Sequence, residues 1–396
     1  MPSEFNDSLL AELQAGLREL ESQSQRRTLV EITGVNLCSN DYLGLAANAA
    51  LKQTLLEAIV KATRIGGTGS RLLSGHAAVW NELEEEFAAF AGSESALYFG
   101  SGYAANIGLL TSLANKNDVI FSDTLNHASI IDGIRLSGAR KVIYPHRDLN
   151  AVESALKENQ SKPGQRKLIV TETVFSMDGD VAPLNAIVAL AEKFGASVIV
   201  DEAHATAVHG PGGRGIAAQF LADGRVLAAM HTCGKALASA GAFVCGPAVL
   251  REHLINHART FIFSTAMPPY MAEQIRAALH LAEGMDVERA ELHARSQNFA
   301  KSLQRDGWET LATTTQIVPT VIGANAAAVA AAEFLQRAGF VVRAIRPPTV
   351  PQGTARLRFS VTHKISAAEL EKLAVSLRTW RAESHHPIPL ALAGSA

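Results

Sequence analysis

The chain has 396 residues, 47% apolar and 19% charged, with 36 basic against 38 acidic side chains. That length and balance fit a folded protein with a core large enough for two domains and exclude a disordered chain. A net charge of −2 offers no footprint for nucleic acid, and no apolar run reaches the roughly 18 residues of a membrane span.

Three cysteines, Cys38, Cys233 and Cys245, lack metal spacing and suit a reducing compartment better than a disulfide framework. Met1–Asp7 lacks the basic and apolar regions of a signal peptide, so a cytoplasmic location with no membrane or nucleic-acid partner is expected.

In chain order, Leu9, Leu10, Leu13, Leu17 and Leu20 recur at helical spacing, with Asp7 or Ser8 placed to cap the start. Such a helix has one apolar stripe and must lie on its own body or on a partner subunit. Arg26 and Arg27 follow, and then Leu37–Gly44 reads as a short strand running into a polar turn. Gly66–His76 is the most glycine-dense segment, without the Lys-Ser/Thr ending of a nucleotide-triphosphate loop. It reads equally as a surface turn or as a loop facing a substrate. Trp80–Phe90 is a glutamate-rich helix, most simply a solvated face.

From Ala96 short apolar runs alternate with helical segments: Ala96–Phe99, Asp118–Phe121, Lys141–Tyr144, Leu168–Thr171, Ser197–Val200 and Val226–Met230. The alternation predicts an α/β fold with a mainly parallel sheet covered on both faces. After about residue 285 the pattern changes. Strands are expected at Thr315–Ile322, Val341–Ile345 and Ala355–Val361, with helices at Ala326–Ala338 and from Ser366, where Ser366 and Glu369 form a capping pattern. This predicts an N-terminal helix and strand segment (1–45), a large domain (46–285) and a small α+β domain (286–396), with a frayed tail from Ser384.

Ligands of open α/β sheets gather at the carboxyl ends of the strands. Polar residues stand at those ends: Ser101-Gly102-Tyr103, His127, Glu172, and Asp201 with His204. Phe99–Asn106 passes from a strand through glycines into a helix, whose free amides could bind phosphate, although many such junctions bind nothing. Asp201 ends a buried strand and needs a cation there, a protonated pyridine nitrogen or an arginine, unless it caps a helix. Lys235 lies among small residues in His231–Gly241, either as an exposed loop lysine or as a desolvated nucleophilic amine. Together Lys235 and Asp201 suggest a pyridoxal 5'-phosphate site. His127 could stack on a planar ring or simply be exposed, and His204 could be an ordinary core histidine. Arg356 and Arg358 share one strand face, where they meet a substrate carboxylate, pair with acidic side chains or face solvent. No His/Cys/Asp/Glu set has metal-ligand spacing.

The chain resembles the α-oxoamine synthases from about Leu37 to Arg378. The resemblance rests on Ser39–Leu45, Gly69–His76, Asn126–Ser129, Thr173–Asp180, Asp201–His204, Gly234-Lys235, Phe263–Pro269 and, above all, Ile345–Arg358. It implies the pyridoxal-phosphate-dependent transferase fold type I, a large mainly parallel domain with a smaller α+β C-terminal domain, acting as a homodimer. By that resemblance Lys235 would bind the cofactor aldehyde, Asp201 would meet the pyridine nitrogen and His127 would stack on the ring. Ser176 and His204 would contact the ring hydroxyl. Ser101, Gly102, Tyr103 and Thr232 would hold the phosphate, and Ser264 and Thr265 would reach in from the partner chain. Arg358 would take the amino-acid carboxylate, while Arg26 (or Arg27), Asn40, Arg346 and Thr349 would line the acyl side.

The motif at Ile345–Arg358 implies decarboxylative condensation of L-alanine with pimeloyl-CoA or a pimeloyl-carrier protein, a step of biotin biosynthesis. The alternatives are transfer to glycine, as in glycine C-acetyltransferase or 5-aminolevulinate synthase, and a non-catalytic scaffold. Three positions depart from the family pattern: Cys233 stands where an aromatic is common, and Ala207 and Ala238 where glycine is.

Overall fold

The computed structural model describes residues 4–159 and 164–385; the tail expected to fray runs from position 386 outside the described residues. In chain order its strands are β1 (Val35–Asn36), β2 (Ser95–Phe99), β3 (Val119–Asp123), β4 (Arg140–Tyr144), β5 (Lys167–Glu172) and β6 (Ser197–Asp201). Then come β7 (Ala228–Thr232), β8 (Ala242–Gly246), β9 (Ile317–Gly323), β10 (Phe340–Val341), β11 (Ala344–Ile345) and β12 (Ala355–Ser360). They fall into two compact units. The larger comprises Asn40–Ser176 and Asp180–Glu291; the smaller comprises the chain up to Ser39, Met177–Gly179 and the chain from Leu292.

The larger unit is built on a seven-stranded sheet of order β2-β8-β7-β6-β5-β3-β4. From β7 to β4 every neighbouring pair is parallel, and only β8 runs antiparallel to its neighbours β7 and β2. Helices Gly102–Leu113, Ala128–Ser137, Leu149–Glu158 and Leu184–Phe194 make the crossovers. Covered strands lose the polar/apolar alternation, and β3, β5, β7 and β8 are buried at every position. The edge strand β4 instead exposes Arg140 and Lys141, charges that discourage pairing with another edge. One core cluster gathers Leu97, Leu109, Ile120, Ile130, Val170, Ile199 and Val244. Elsewhere Phe87 stacks on Phe243 at 4.0 Å and Trp80 on Tyr98 at 4.4 Å.

The ladders run further than apolarity alone predicts. Strands expected to stop at Phe121, Thr171, Val200 and Met230 continue through Asp123, Glu172, Asp201 and Thr232. Backbone pairing does not depend on side-chain polarity, so the sheet carries these polar residues into buried positions at its carboxyl edge.

Two expectations fail here. The helix Ala78–Ala91 is not a solvated face throughout, because Glu84 is buried with Trp80, Leu83, Phe87 and Phe90. Its carboxylate pairs with Arg71 and with Arg251 at 3.0 Å, and it accepts the Tyr98 N–H at 2.9 Å. Arg71 comes from the glycine-dense segment, which is a pinned turn rather than a loose one. Gly67 and Gly75 pack so closely on Ala266 that a side chain at either would overlap it, and the Ala266 N–H donates to the Gly69 carbonyl at 2.9 Å.

In the smaller unit β11, β12 and β9 form an antiparallel sheet and β1 pairs in parallel with β10. The strand expected from Leu37 is instead β1, two residues long. Asn36 ends it by accepting the N–H groups of Cys38 at 2.9 Å and Ser39 at 3.2 Å, a side-chain turn that competes with the ladder. Helices Asn325–Arg337 and Ala367–Ser384 and most of helix Asp286–Arg305 belong to the unit, Ala367–Ser384 opened by the expected reciprocal cap of Ser366 and Glu369. The leucine stripe of helix Glu4–Ser22 stays open, with Leu9, Leu10, Leu13 and Leu17 about half exposed. No helix among the described residues is long and apolar enough to cross a membrane.

Glu84→Ala leaves two guanidinium groups facing a carboxylate that is gone; it should cost about 3 kcal/mol of stability, measured by urea unfolding.

Candidate active site

The site grows from the carboxyl edge of the larger unit's sheet. Asp201 is the last residue of β6, beside Glu172 on β5 and Met230 on β7. It is 4% exposed, and both its oxygens are taken. Oδ2 accepts from Asn106 Nδ2 at 2.8 Å, and Oδ1 accepts the Ala203 N–H at 2.8 Å. Neither donor is charged, so the carboxylate is fixed in direction but not neutralised by them. Asn106 also donates to Ser129 Oγ at 2.9 Å, which ties Asp201 to the helix that follows His127.

His127 caps that helix. Its Nδ1 accepts the Ser129 N–H at 3.2 Å, which leaves the proton of the neutral ring on Nε2. Burial pushes its pKa below the usual histidine value; Asp201 opposes that shift and Lys235 adds to it. The charges of Asp201 and Lys235 thus both reach His127, with opposite sign.

Glu172 is the second carboxyl at this edge. Burial first, and then the Asp201 charge, push its pKa well above the ordinary carboxylate range, against the attraction of Lys235 and the N–H groups of His127 and Ser176. Two like charges on adjacent strand ends repel, so the neutral acid is favoured at Glu172.

Lys235 lies on the connection from β7 to β8. Three bonds close it: Cys233 N–H to Gly241 carbonyl, Ser239 N–H to Cys233 carbonyl and Ala238 N–H to Lys235 carbonyl, each 2.9 Å. Gly241 has φ +87°, and a side chain there would overlap Tyr98, whose hydroxyl donates to the Ala240 carbonyl at 2.9 Å. Ala238 and Ala207 take φ of +45° and +66°, which explains why glycine suits both positions. Cys233 is fully buried, and burial pushes its thiol pKa up.

At the other end Ser101 caps helix Gly102–Leu113, accepting the Ala104 N–H at 3.1 Å. Gly102 comes close to β7: an added Cβ would stand 3.6 Å from Thr232 Oγ1. A helix N-terminus and a hydroxyl from a second element therefore meet where a phosphate could be held. Tyr103 turns its ring edge to His127 at 6.3 Å and bonds Asp132 through its hydroxyl.

His204 is buried beside Tyr42. Its Nδ1 meets the Tyr42 hydroxyl at 2.7 Å, and that hydroxyl donates to Asn40 Oδ1 at 3.0 Å. Glu202 points elsewhere: it takes the N–H groups of Ile216 and Ala217 and, by burial, is raised to about 7.

A carboxylate fixed in direction, an imidazole, a primary amine and a helix N-terminus are the groups that pyridoxal phosphate needs, so these residues fit it. Ser264 and Thr265 are exposed, on the segment packed against the glycine-dense turn. In the smaller unit, Arg358 is buried and donates to Ser360 Oγ at 2.7 Å, while its strand neighbour Arg356 pairs with Asp178 at 2.5 Å. Arg346 donates to the Ser24 carbonyl, and Thr349 closes a turn on Arg346 at 3.1 Å. Arg26 pairs with Glu21, whereas the charge that acts on Arg346 is that of Arg27. Asn106, Tyr42 and Glu172 had no assigned role in the sequence. The usable signal was Asn106, a buried amide within an otherwise apolar helix. Among the described residues no His/Cys/Asp/Glu group could hold a metal ion.

Residues 32–377 match the family model for aminotransferase class I and II. The 8-amino-7-oxononanoate synthase of Aromatoleum aromaticum is 45% identical over 389 residues, 95% of this chain and 100% of that protein. A solved 8-amino-7-oxononanoate synthase from Francisella tularensis is 28% identical with a TM-score of 0.75, covering 89% of this chain and 99% of its own. Serine palmitoyltransferase from S. paucimobilis, solved with a bound PLP–myriocin aldimine, has a TM-score of 0.87 at 26% identity, covering 96% of this chain and 98% of its own.

Ala238→Gly should raise stability by about 1 kcal/mol through relief of the left-handed backbone, read as a higher Tm. Gly241→Ala should do the reverse and, by displacing Tyr98 or the Lys235 connection, abolish cofactor absorbance in any folded fraction.

Proposed function

The chain belongs to the class I and II aminotransferase family, among its 8-amino-7-oxononanoate synthases, and from that membership we propose that it condenses L-alanine with a pimeloyl thioester. The thioester is carried on coenzyme A or on a carrier protein, and the products are 8-amino-7-oxononanoate, CO2 and the free thiol. The enzyme is an acyltransferase dependent on pyridoxal phosphate. When bound, that cofactor supplies a ring that takes up the negative charge developing on the α-carbon of the amino acid.

The observation that carries the reading is the Asp201 carboxylate. It is buried, fixed by two uncharged donors, and within electrostatic reach of the same imidazole that feels Lys235. A carboxylate so held keeps a proton on a ring nitrogen. Its geometry is set before any ligand arrives, so no reorganisation is needed as charge develops.

In this reading the Lys235 amine would hold the cofactor and be set free when alanine takes its place. That amine then removes the α-proton and returns one after CO2 is lost. His127 lies against the ring in its neutral form. His204 and Ser176 would meet the ring hydroxyl. Ser101, Gly102, Tyr103 and Thr232 hold the phosphate. Arg358 takes the alanine carboxylate with a bidentate guanidinium. Asn40, Arg346 and Thr349 line the acyl side with Arg26 or Arg27, and the charge of Arg27 on Arg346 favours Arg27.

The protein acts as a cytoplasmic homodimer in which Ser264 and Thr265 serve the partner's site. The open leucine stripe of helix Glu4–Ser22 supports a second copy, since such a surface is costly to leave in water.

The test is product mass from alanine or glycine, each with pimeloyl-CoA, pimeloyl-carrier protein and shorter acyl-CoAs. Alanine with a pimeloyl thioester should give the dominant product. Turnover with glycine and a short acyl-CoA alone would reassign the chain to another reaction of this type. Lys235→Ala should lose the visible absorbance of bound cofactor and cut turnover at least about 10²-fold.

A further inference from the structure

Outside the site just described, a cluster of ionised groups around His146 joins two of the segments that lead into it. His146 follows β4 and meets a carboxylate at each ring nitrogen: Nδ1 with Asp123 Oδ1 at 3.0 Å, and Nε2 with Asp180 Oδ2 at 2.9 Å. A carboxylate only accepts, so both nitrogens must donate and the ring is an imidazolium. Arg147 reinforces it, its N–H donating to Asp123 Oδ2 at 2.9 Å and its guanidinium to Asp180 Oδ2 at 2.8 Å.

The two carboxylates belong to two different cofactor-facing segments. Asp123 ends β3 and accepts the Leu125 N–H at 2.8 Å, which sets the turn into Asn126 and His127. Asn126 is locked in turn by Ser122, the Val170 carbonyl and the Glu172 N–H. Asp180 closes the other segment. Its carbonyl accepts the Phe175 N–H at 3.0 Å, Val174 bridges Val181, and Ser176 follows directly. The Phe175 ring meets the His146 imidazole edge-on at 4.4 Å.

We propose that His146 is a positioning residue: by bridging Asp123 to Asp180 it clamps the His127 segment to the Ser176 segment and so governs how tightly the cofactor is held. The clamp rests on the cofactor reading above but not on the identity of the substrates. Burial alone would lower the His146 pKa, yet its bonds to Asp123 and Asp180 outweigh burial and raise it to about 9. Asp180 is correspondingly lowered by His146 and Arg147 against its burial. The other titratable group at hand, the Tyr144 phenol, is pushed up by burial and stays neutral there. A pKa raised on folding means the contribution is fully present below the unfolded value of about 6.5 and lost as pH rises through about 9.

The experiment follows release of pyridoxal phosphate from the holoenzyme by absorbance, for wild type, His146→Gln, Asp180→Asn and the double variant. At about pH 7 each single variant should release cofactor about tenfold faster than wild type, the scale of one charge-assisted hydrogen bond. The double variant should fall short of the product of the two effects. Above about pH 9 the wild-type rate should rise to meet that of His146→Gln. Should His146→Gln fail to fold, the wild-type pH step and its absence from Asp180→Asn carry the same test. Release rates equal to wild type, or a ratio constant across pH, would overturn the clamp and leave only a structural ion cluster. Failure of the wild type itself to take up the cofactor would overturn the cofactor reading and the clamp with it.

Discussion

The whole site depends on a carboxylate held out of water. Burying an ion costs several kcal/mol unless it is well solvated by the protein, and Asp201 meets that demand with an amide and a backbone N–H rather than with an arginine. A fixed cation there would have satisfied Asp201 permanently and left nothing to attract a ligand. Two neutral dipoles hold its direction while leaving its charge available. Asn106 performs this from the same helix whose N-terminus is capped by Ser101, so one rigid rod sets both the anion-binding end and the carboxylate.

The other acids nearby are handled differently. Glu172 is driven towards its neutral form by burial and by Asp201, and Glu202 spends its oxygens on the backbone of a loop. Three carboxyl groups thus crowd the ends of β5 and β6, yet only Asp201 bears on the imidazole that also feels Lys235. Sequence spacing shows that these acids are neighbours. It does not show which of them is ionised.

Much of the architecture was legible because parallel strands buried on both faces must be apolar and short, with helices between them. Ala96–Phe99 and Ser197–Val200 could be placed to within a residue. Glu84 was misread because helical spacing alone cannot reveal that two arginines, distant in sequence, converge on a glutamate. The same limit hid Asn106 and Tyr42, whose partners lie 95 and 162 residues away. Family resemblance names Lys235, Asp201, His127 and His204, but the side chains that hold Asp201 and His204 are far away in sequence. The glycine-like positions Ala207 and Ala238 became intelligible only once their backbone angles were known.

The antiparallel course of β8 has one more effect. Because β7 and β8 pair directly, the segment bearing Lys235 is a hairpin tip anchored on both sides by the sheet, unlike the crossover loops that lead into helices. A pivot fastened in this way cannot swing with a shifting helix. From this anchored tip the reach of the Lys235 amine is set by the length of its own aliphatic stem.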